Sequence, residues 1–364
     1  MPMPAGLIPI GNAVSATGNT QFAVPKPPSS FLGGGAGAQA MAALRNSYDP
    51  LPMSDFFDST EMINDTIPVY TAGNQGVIYV CMHGAGHSAM SFAVLAEKLK
   101  LTGTVVAFDW RGHGSHTRED ETNMSQDVLI AEALEVLNYV LEKYLNRTII
   151  VIGHSMGGAI ASKTLKKIET EMQESELAKA IAGIIIIDVV EGTAMEALPF
   201  MEQIVKNRPV HFPDLASVVK YGVLGGQVRD KRSARISMPA QVKEVTDAPT
   251  GLKKYVWRTD LLATKGYWPE WFEGLTDCFL GLQTKKILFL AGAERMDKDL
   301  TVAHMQGKYE MNVIADCGHV IQEDQPGKLV EKVLEFIVRR KVPVEYNQQM
   351  FIITPQGKKV FITR

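Results

Sequence analysis

Cysteine is scarce in this chain. There are three in 364 residues, Cys81, Cys278 and Cys317, with no CxxC spacing among them. An odd, scattered set argues against a disulfide framework or a structural zinc site and fits a reducing compartment, the cytoplasm, with the nucleus left open. A charge excess is lacking too: 37 basic against 40 acidic residues leave a net charge of -3. Neither nucleic acid nor an anionic membrane is therefore an expected partner. Long apolar runs are absent, the stretch through Ile184 to Ile187 being far too short to span a bilayer. The N-terminus has neither the basic start nor the apolar stretch of a secretory signal.

What the chain does contain is 46% hydrophobic and 21% charged residues, enough for a sizeable core. Residues 1–45, with PKPPSS and FLGGGAGAQA, are rich in Gly, Ala, Pro and Ser, and are expected to be disordered. The triple glycine at 33–35 has no preceding strand and no GKS or GKT continuation, so it is a poor phosphate loop. From about residue 66 apolar strands alternate with amphipathic helices. GVIYVCMH, TVVAFDW, TIIVIG, GIIIIDV and KKILFLAG read as strands; Ser88–Leu99, Asn123–Tyr144 and 157–174 read as helices. Continuous β-branched runs between helices predict an α/β domain, 46–340, with a mostly parallel sheet covered on both faces. The alternation breaks between about 190 and 280, where Tyr255, Trp257, Tyr267, Trp268, Trp271 and Phe272 cluster, and an inserted lid is expected there. Most of these rings should fill the lid's own core. Residues 341–364, with MFIIT and VFITR around PQGK, predict a terminal hairpin.

The sharpest signal is Gly153-His154-Ser155-Met156-Gly157, a G-x-S-x-G pattern between the strand TIIVI and a helix. A strand that turns directly into a helix lifts the hydroxyl of Ser155 above the sheet, the nucleophile elbow of the α/β-hydrolase fold. A serine needs a base, and His319, late in the chain on a loop after YEMNVIA, suits that role. The loop after the first of these strands, His83-Gly84-Ala85-Gly86, is small enough for a carbonyl to approach its main chain. The amides of Ala85 and Met156 are the expected oxyanion hole. His83 and His154 are expected to orient loops, Asp109 to tether them, and Cys317 to be a small core residue. The acid stays open at this level. Glu294, Asp297 and Asp299 follow the strand KKILFLAG, whereas Asp188 ends GIIIID, and Asp297 and Asp188 are nearly level.

Several segments resemble the protein phosphatase methylesterase family over roughly residues 50–340. They are HGAGHSAMSFAVLA at 83–96, FDWRGHG at 108–114, GHSMGGAIA at 153–161, IDVVEGTAMEAL at 187–198 and SARISMPAQV at 233–242. YVWRTDL at 255–261, YWPEWFEGL at 267–275, AGAERMDKDLTVAHMQGKYEM at 291–311 and CGHVIQED at 317–324 continue the match. IDVVEGTAM, MDKDL with MQGK, and YWPEWF are the particular ones. The resemblance implies hydrolysis of the C-terminal leucine methyl ester of the type 2A protein phosphatase catalytic subunit. It places the acid at Asp188, needs no metal or organic cofactor, and makes the methylated phosphatase the partner. The chain departs from the family in two places. Only EVTDAPTGLKK stands where the family often carries a long charged insertion, and the helix after Ser155 looks extended through KTLKKIETEMQESELAKA. The rival expectations are a general small-ester hydrolase and a phosphatase-binding regulator with secondary esterase activity.

Overall fold

The computed structural model describes residues 48–249, 251–345, 350–353 and 359–362, so the Gly/Pro/Ala-rich stretch 1–45 lies outside the described residues. Strands β1 (Ser59–Ile63) and β2 (Ile67–Ala72) form a hairpin. Its turn residues Asn64 and Asp65 both take positive φ, 48° and 57°, which a type I′ connection requires. Then follow β3 (Val77–Met82), α1 (Ala93–Leu99), β4 (Gly103–Phe108), α2 (Gln126–Lys143), β5 (Ile149–His154), α3 (Met156–Glu171), α4 (Glu176–Ala180) and β6 (Ile181–Ile187). The long helix expected after Ser155 is thus two helices. The first stops at Glu171, and Ser175 caps the second by accepting from the Ala178 amide at 3.1 Å.

Between β6 and the next core strand the chain leaves the sheet. It forms α5 (Glu191–Lys206), α6 (Leu215–Leu224), α7 (Lys231–Ser237), the hairpin β7 (Val242–Thr246) and β8 (Lys253–Trp257), α8 (Trp268–Phe272) and α9 (Leu275–Gly281). Of the shortened segment EVTDAPTGLKK, residues 244–246 lie in β7 and 253–254 in β8. The core resumes with β9 (Lys285–Leu290), α10 (Lys298–Met305), β10 (Glu310–Val313), α11 (Ile321–Asp324) and α12 (Pro326–Arg339), and a last antiparallel pair joins β11 (Met350–Ile353) to β12 (Lys359–Ile362).

The eight core strands lie in the order β1-β2-β4-β3-β5-β6-β9-β10. From β4 to β10 every pairing is parallel, and β1 and β2 add an antiparallel edge. Strands β3, β4 and β5 are buried along their whole length, as a sheet sandwiched by helices demands. One face, with Ile78, Val80, Ile149 and Val151, packs on α2, α3 and the tryptophans of α8. The other, with Tyr79, Cys81, Ile150 and Ile152, packs on α1 and α12.

The lid aromatics divide. Phe212, Tyr221, Tyr255 and Trp257 form a small core of the lid itself. Trp268 and Trp271, only 1% and 0% exposed, instead join the main core against α3. The Trp271 indole donates to Met124 O at 2.8 Å and that of Trp268 to Thr264 Oγ1 at 3.2 Å. Burying rings of this size contributes on the order of 3–5 kcal/mol each, so these two anchor the lid and present no docking face. Glu191 adds a polar clamp by accepting from the amides of Gly274 and Thr276, both at 2.8 Å.

Candidate active site

The parallel strands all end on one edge, and every candidate residue lies just past one of these ends. Ser155 stands between β5 and α3 with φ 52° and ψ −124°, a conformation that costs a non-glycine residue energy and is held by its surroundings. Its amide donates to Ile187 O at 3.0 Å, tying the turn to β6. A Cβ on Gly157 would sit 2.2 Å from Met82 O, so the helix could not start this close to β3 with any side chain there. A Cβ on Gly84 would meet His154 Nδ1 at 3.0 Å and Ser155 Cβ at 3.1 Å, which shows how tightly the loop after β3 lies against the turn.

His319 and Asp188 meet at 2.7 Å, His319 Nδ1 donating to Asp188 Oδ2. That leaves Nε2 of the half-exposed ring as its basic nitrogen. Asp188 is 2% exposed and has φ 55°, a left-handed turn immediately after β6. Its other oxygen accepts from the Ala291 amide at 2.9 Å, and Arg295 pairs with Oδ2. Asp297, level with Asp188 in the sequence, is committed elsewhere. It caps α10 by accepting from Leu300 N at 2.8 Å, and its second oxygen meets Thr276 Oγ1 at 3.2 Å. Glu294 and Asp299 are exposed. Among the described residues the Ser155 hydroxyl has no hydrogen-bond partner. What links the serine turn to the histidine loop is His154, whose Nε2 donates to His319 O at 2.9 Å with the two rings 4.7 Å apart.

Met156, as the first residue of α3, has no intrahelical acceptor for its amide. The Ala85 amide likewise donates to none of the described residues. The loop that carries Ala85 is fixed by its neighbours: Gly86 N donates to His113 Nε2 at 2.8 Å, and Trp110 N to His83 Nε2 at 3.1 Å. Both imidazoles must therefore be neutral and carry their proton on Nδ1, which faces Arg111 O in one and Gly84 O in the other, at 2.8 Å each. Burial explains why they stay neutral: it pulls His113 down to about 4 and His83 and His154 well below the usual imidazole range. His87, beside the same loop, is pulled down to about 3 by burial and by the neighbouring His319.

Asp109 ties this loop to the one after β4. Its carboxylate accepts from Ala89 N at 2.7 Å, Ser115 N at 2.9 Å and the Tyr70 hydroxyl at 3.1 Å. Asp109→Asn turns one acceptor into a donor against these groups, so stability should fall by about 1–3 kcal/mol for each donor left unpaired. A urea melt of that variant checks it, and an unchanged midpoint would remove Asp109 from the scaffold of the site. Cys317 is buried, donates to Ile314 O at 2.9 Å, and its thiol is pushed up to about 11 by burial, which suits packing and not nucleophilic attack. Among the described residues no group of His, Cys, Asp and Glu could hold a metal ion, and no helix is long and apolar enough to cross a membrane.

The fold and this edge define a class. Residues 79–332 match the model of the alpha/beta hydrolase family, and the chain is an α/β hydrolase. Solved structures agree on the fold. An E-2-(acetamidomethylene)succinate hydrolase aligns with TM-score 0.62 at 17% identity, covering 77% of this chain and 98% of that one. A Mycobacterium tuberculosis esterase aligns with TM-score 0.57 at 19% identity over 82% and 97%. Sequence relatives go further. Protein phosphatase methylesterase 1 of Bos taurus is 35% identical over 87% of this chain and 94% of its own length. The human protein of that name is 35% identical over 87% and 92%, and that of Schizosaccharomyces pombe 37% over 75% and 79%. The chain belongs to the protein phosphatase methylesterase family.

Proposed function

We propose that the chain is a serine carboxylesterase that removes the methyl ester from the C-terminal leucine of the type 2A protein phosphatase catalytic subunit, using Ser155, His319 and Asp188. The observation that carries the reading is the 2.7 Å contact of His319 with Asp188 beside the strained turn of Ser155. His319 Nε2 takes the proton of Ser155, whose oxygen attacks the ester carbonyl. Asp188 holds the Nδ1 proton and offsets the imidazolium charge that forms. The oxyanion lies between the amides of Ala85 and Met156 at the N-terminal end of α3, where the helix dipole also favours negative charge. The imidazolium gives its proton to the departing methoxide. Water, deprotonated by the same nitrogen, then attacks the acyl-enzyme and restores Ser155. The neutral histidines His83, His113 and His154 place no positive charge beside the base. Three free cysteines fit a reducing compartment such as the cytoplasm.

The partner is a folded phosphatase and not a free peptide. A flexible peptide end bears its whole ordering cost on binding, whereas a folded body can dock on the domain and lid and help position the ester. Methyl release from the intact methylated phosphatase should therefore proceed with a kcat/KM at least about tenfold above that of a methylated C-terminal peptide. Because Trp268 and Trp271 are buried, docking must use other parts of the lid. Equal efficiency on both substrates would move the protein toward a general small-ester hydrolase.

A further inference from the structure

Two arginines of the lid reach down toward the loops of the active edge, and they differ in one respect. Arg258 is fully matched: its guanidinium meets Glu121 through two nitrogens and donates to Gly114 O and His116 O. Arg208 is not. Among the described residues it meets no carboxylate, its guanidinium donates to no oxygen, and its Nε is buried without a partner. Its position is nonetheless fixed. The guanidinium lies over the ring of Trp257 at 4.9 Å, and that indole is itself held by Pro209 O at 2.8 Å. A Cβ built on Gly86 would lie 3.7 Å from Arg208 Nη1, so the guanidinium borders the loop whose Ala85 amide faces the reacting carbonyl. Arg208 is also close enough to His87 to disfavour protonation of that ring.

A guanidinium that is preorganised, largely removed from water and without an anion offsets its desolvation only in part through the ring of Trp257. Burial already pulls its pKa below the usual arginine value. What compensates such a group is an anion with two oxygens in a plane, a carboxylate above all.

We propose that Arg208 anchors a carboxylate of the peptide chain whose ester Ser155 attacks. This rests on the methylesterase reading above. The carboxylate has two sources: an acidic side chain a few residues before the ester, or the acid that hydrolysis itself creates.

The test uses the full chain and peptides ending in leucine methyl ester, each with one Asp at the second, third or fourth residue from the end and an Asn twin of each. In the wild type, kcat/KM for one Asp peptide should exceed that of its twin by roughly 10- to 100-fold, the range of a charge-assisted hydrogen bond. In Arg208→Met that ratio should collapse to about one, and Arg208→Lys should restore part of it. Loss of both acid and amide substrates by the same factor is what a merely structural role predicts, and it would overturn the anchor. The free-acid products, used as inhibitors, separate the two sources. A weaker inhibition of Arg208→Met by acid and amide products alike, with the substrate ratio unmoved, assigns the new carboxylate as the ligand. A ratio and an inhibition that both survive Arg208→Met overturn the proposal, and if Met unfolds the chain, the same readings are taken on Arg208→Lys. Should the wild type release methyl from neither the peptides nor the intact methylated phosphatase while still hydrolysing a p-nitrophenyl ester, the methylesterase reading falls and the anchor falls with it.

Discussion

Ser155→Ala is expected to lower ester turnover by on the order of a millionfold while leaving the fold intact. The size follows from the division of labour at the strand ends. With the hydroxyl gone, His319 has no proton to take and no acyl-enzyme can form, so only the amides of Ala85 and Met156 still act. Such a hole alone retains roughly 10³–10⁴-fold over water in serine hydrolases. The fold should survive because alanine at 155 leaves Gly157 packed on Met82 O and the Ser155 amide bonded to Ile187 O. The turn keeps its backbone angles and loses no described hydrogen bond. A fluorophosphonate probe gives the direct reading: the wild type should label to completion and the variant not at all. A variant labelled as fast as the wild type would mean that another residue attacks, and Ser155 would lose its role.

The site was unevenly legible in the sequence, for reasons that lie in how local each constraint is. The elbow is written in five consecutive residues, because the glycines at 153 and 157 and the flanking strand are all demanded by one sharp turn. His319 is legible only through order along the chain and through its loop. The acid is a spatial choice between neighbouring strand ends, and spacing cannot make it. One sequence signal favoured Asp188: Asp297 directly precedes a helix with Leu300 three residues on, the pattern of an N-cap, and a capping carboxylate is already engaged.

The misses share a cause. The β1–β2 hairpin is hard to read because four of the five residues of β1 are exposed and its turn is Asn-Asp, not the stronger Asn-Gly. The break after Glu171 has no proline or glycine to announce it. The break in the α/β alternation between β6 and β9 was legible, but the return of that segment to the core was not, since burial of Trp268 and Trp271 against α3 depends on contacts between distant segments. Arg208 belongs to the same category. A lone arginine after an amphipathic helix reads as a solvated charge until the fold brings it to Gly86.

Asp188→Asn should depress turnover by on the order of a thousandfold to ten-thousandfold, whereas Asp297→Asn should change it little. Asp188 has three ligands to satisfy: His319 Nδ1, the Ala291 amide and Arg295. All three are donors, and a carboxylate accepts from all of them. An asparagine has only one oxygen for them. If its oxygen faces Ala291, its NH2 group faces both Arg295 and His319 and forces the imidazole proton onto Nε2, the nitrogen that must accept from Ser155. If it flips, the Ala291 amide confronts the NH2 group, and Arg295 keeps an oxygen but loses its carboxylate. Either way the base is in the wrong state or the acid loop is destabilised, and no negative charge offsets the imidazolium. Asp297 is different in kind. As an N-cap it can be replaced by asparagine, which caps as well, so neither α10 nor the contact with Thr276 should suffer by more than a few tenths of a kcal/mol. Steady-state rates on a p-nitrophenyl ester, with near-ultraviolet circular dichroism to verify folding, discriminate the two. A folded Asp188→Asn variant with near-normal turnover beside a crippled Asp297→Asn would shift the acid to the tip of β9 and break the link between the 2.7 Å contact and catalysis.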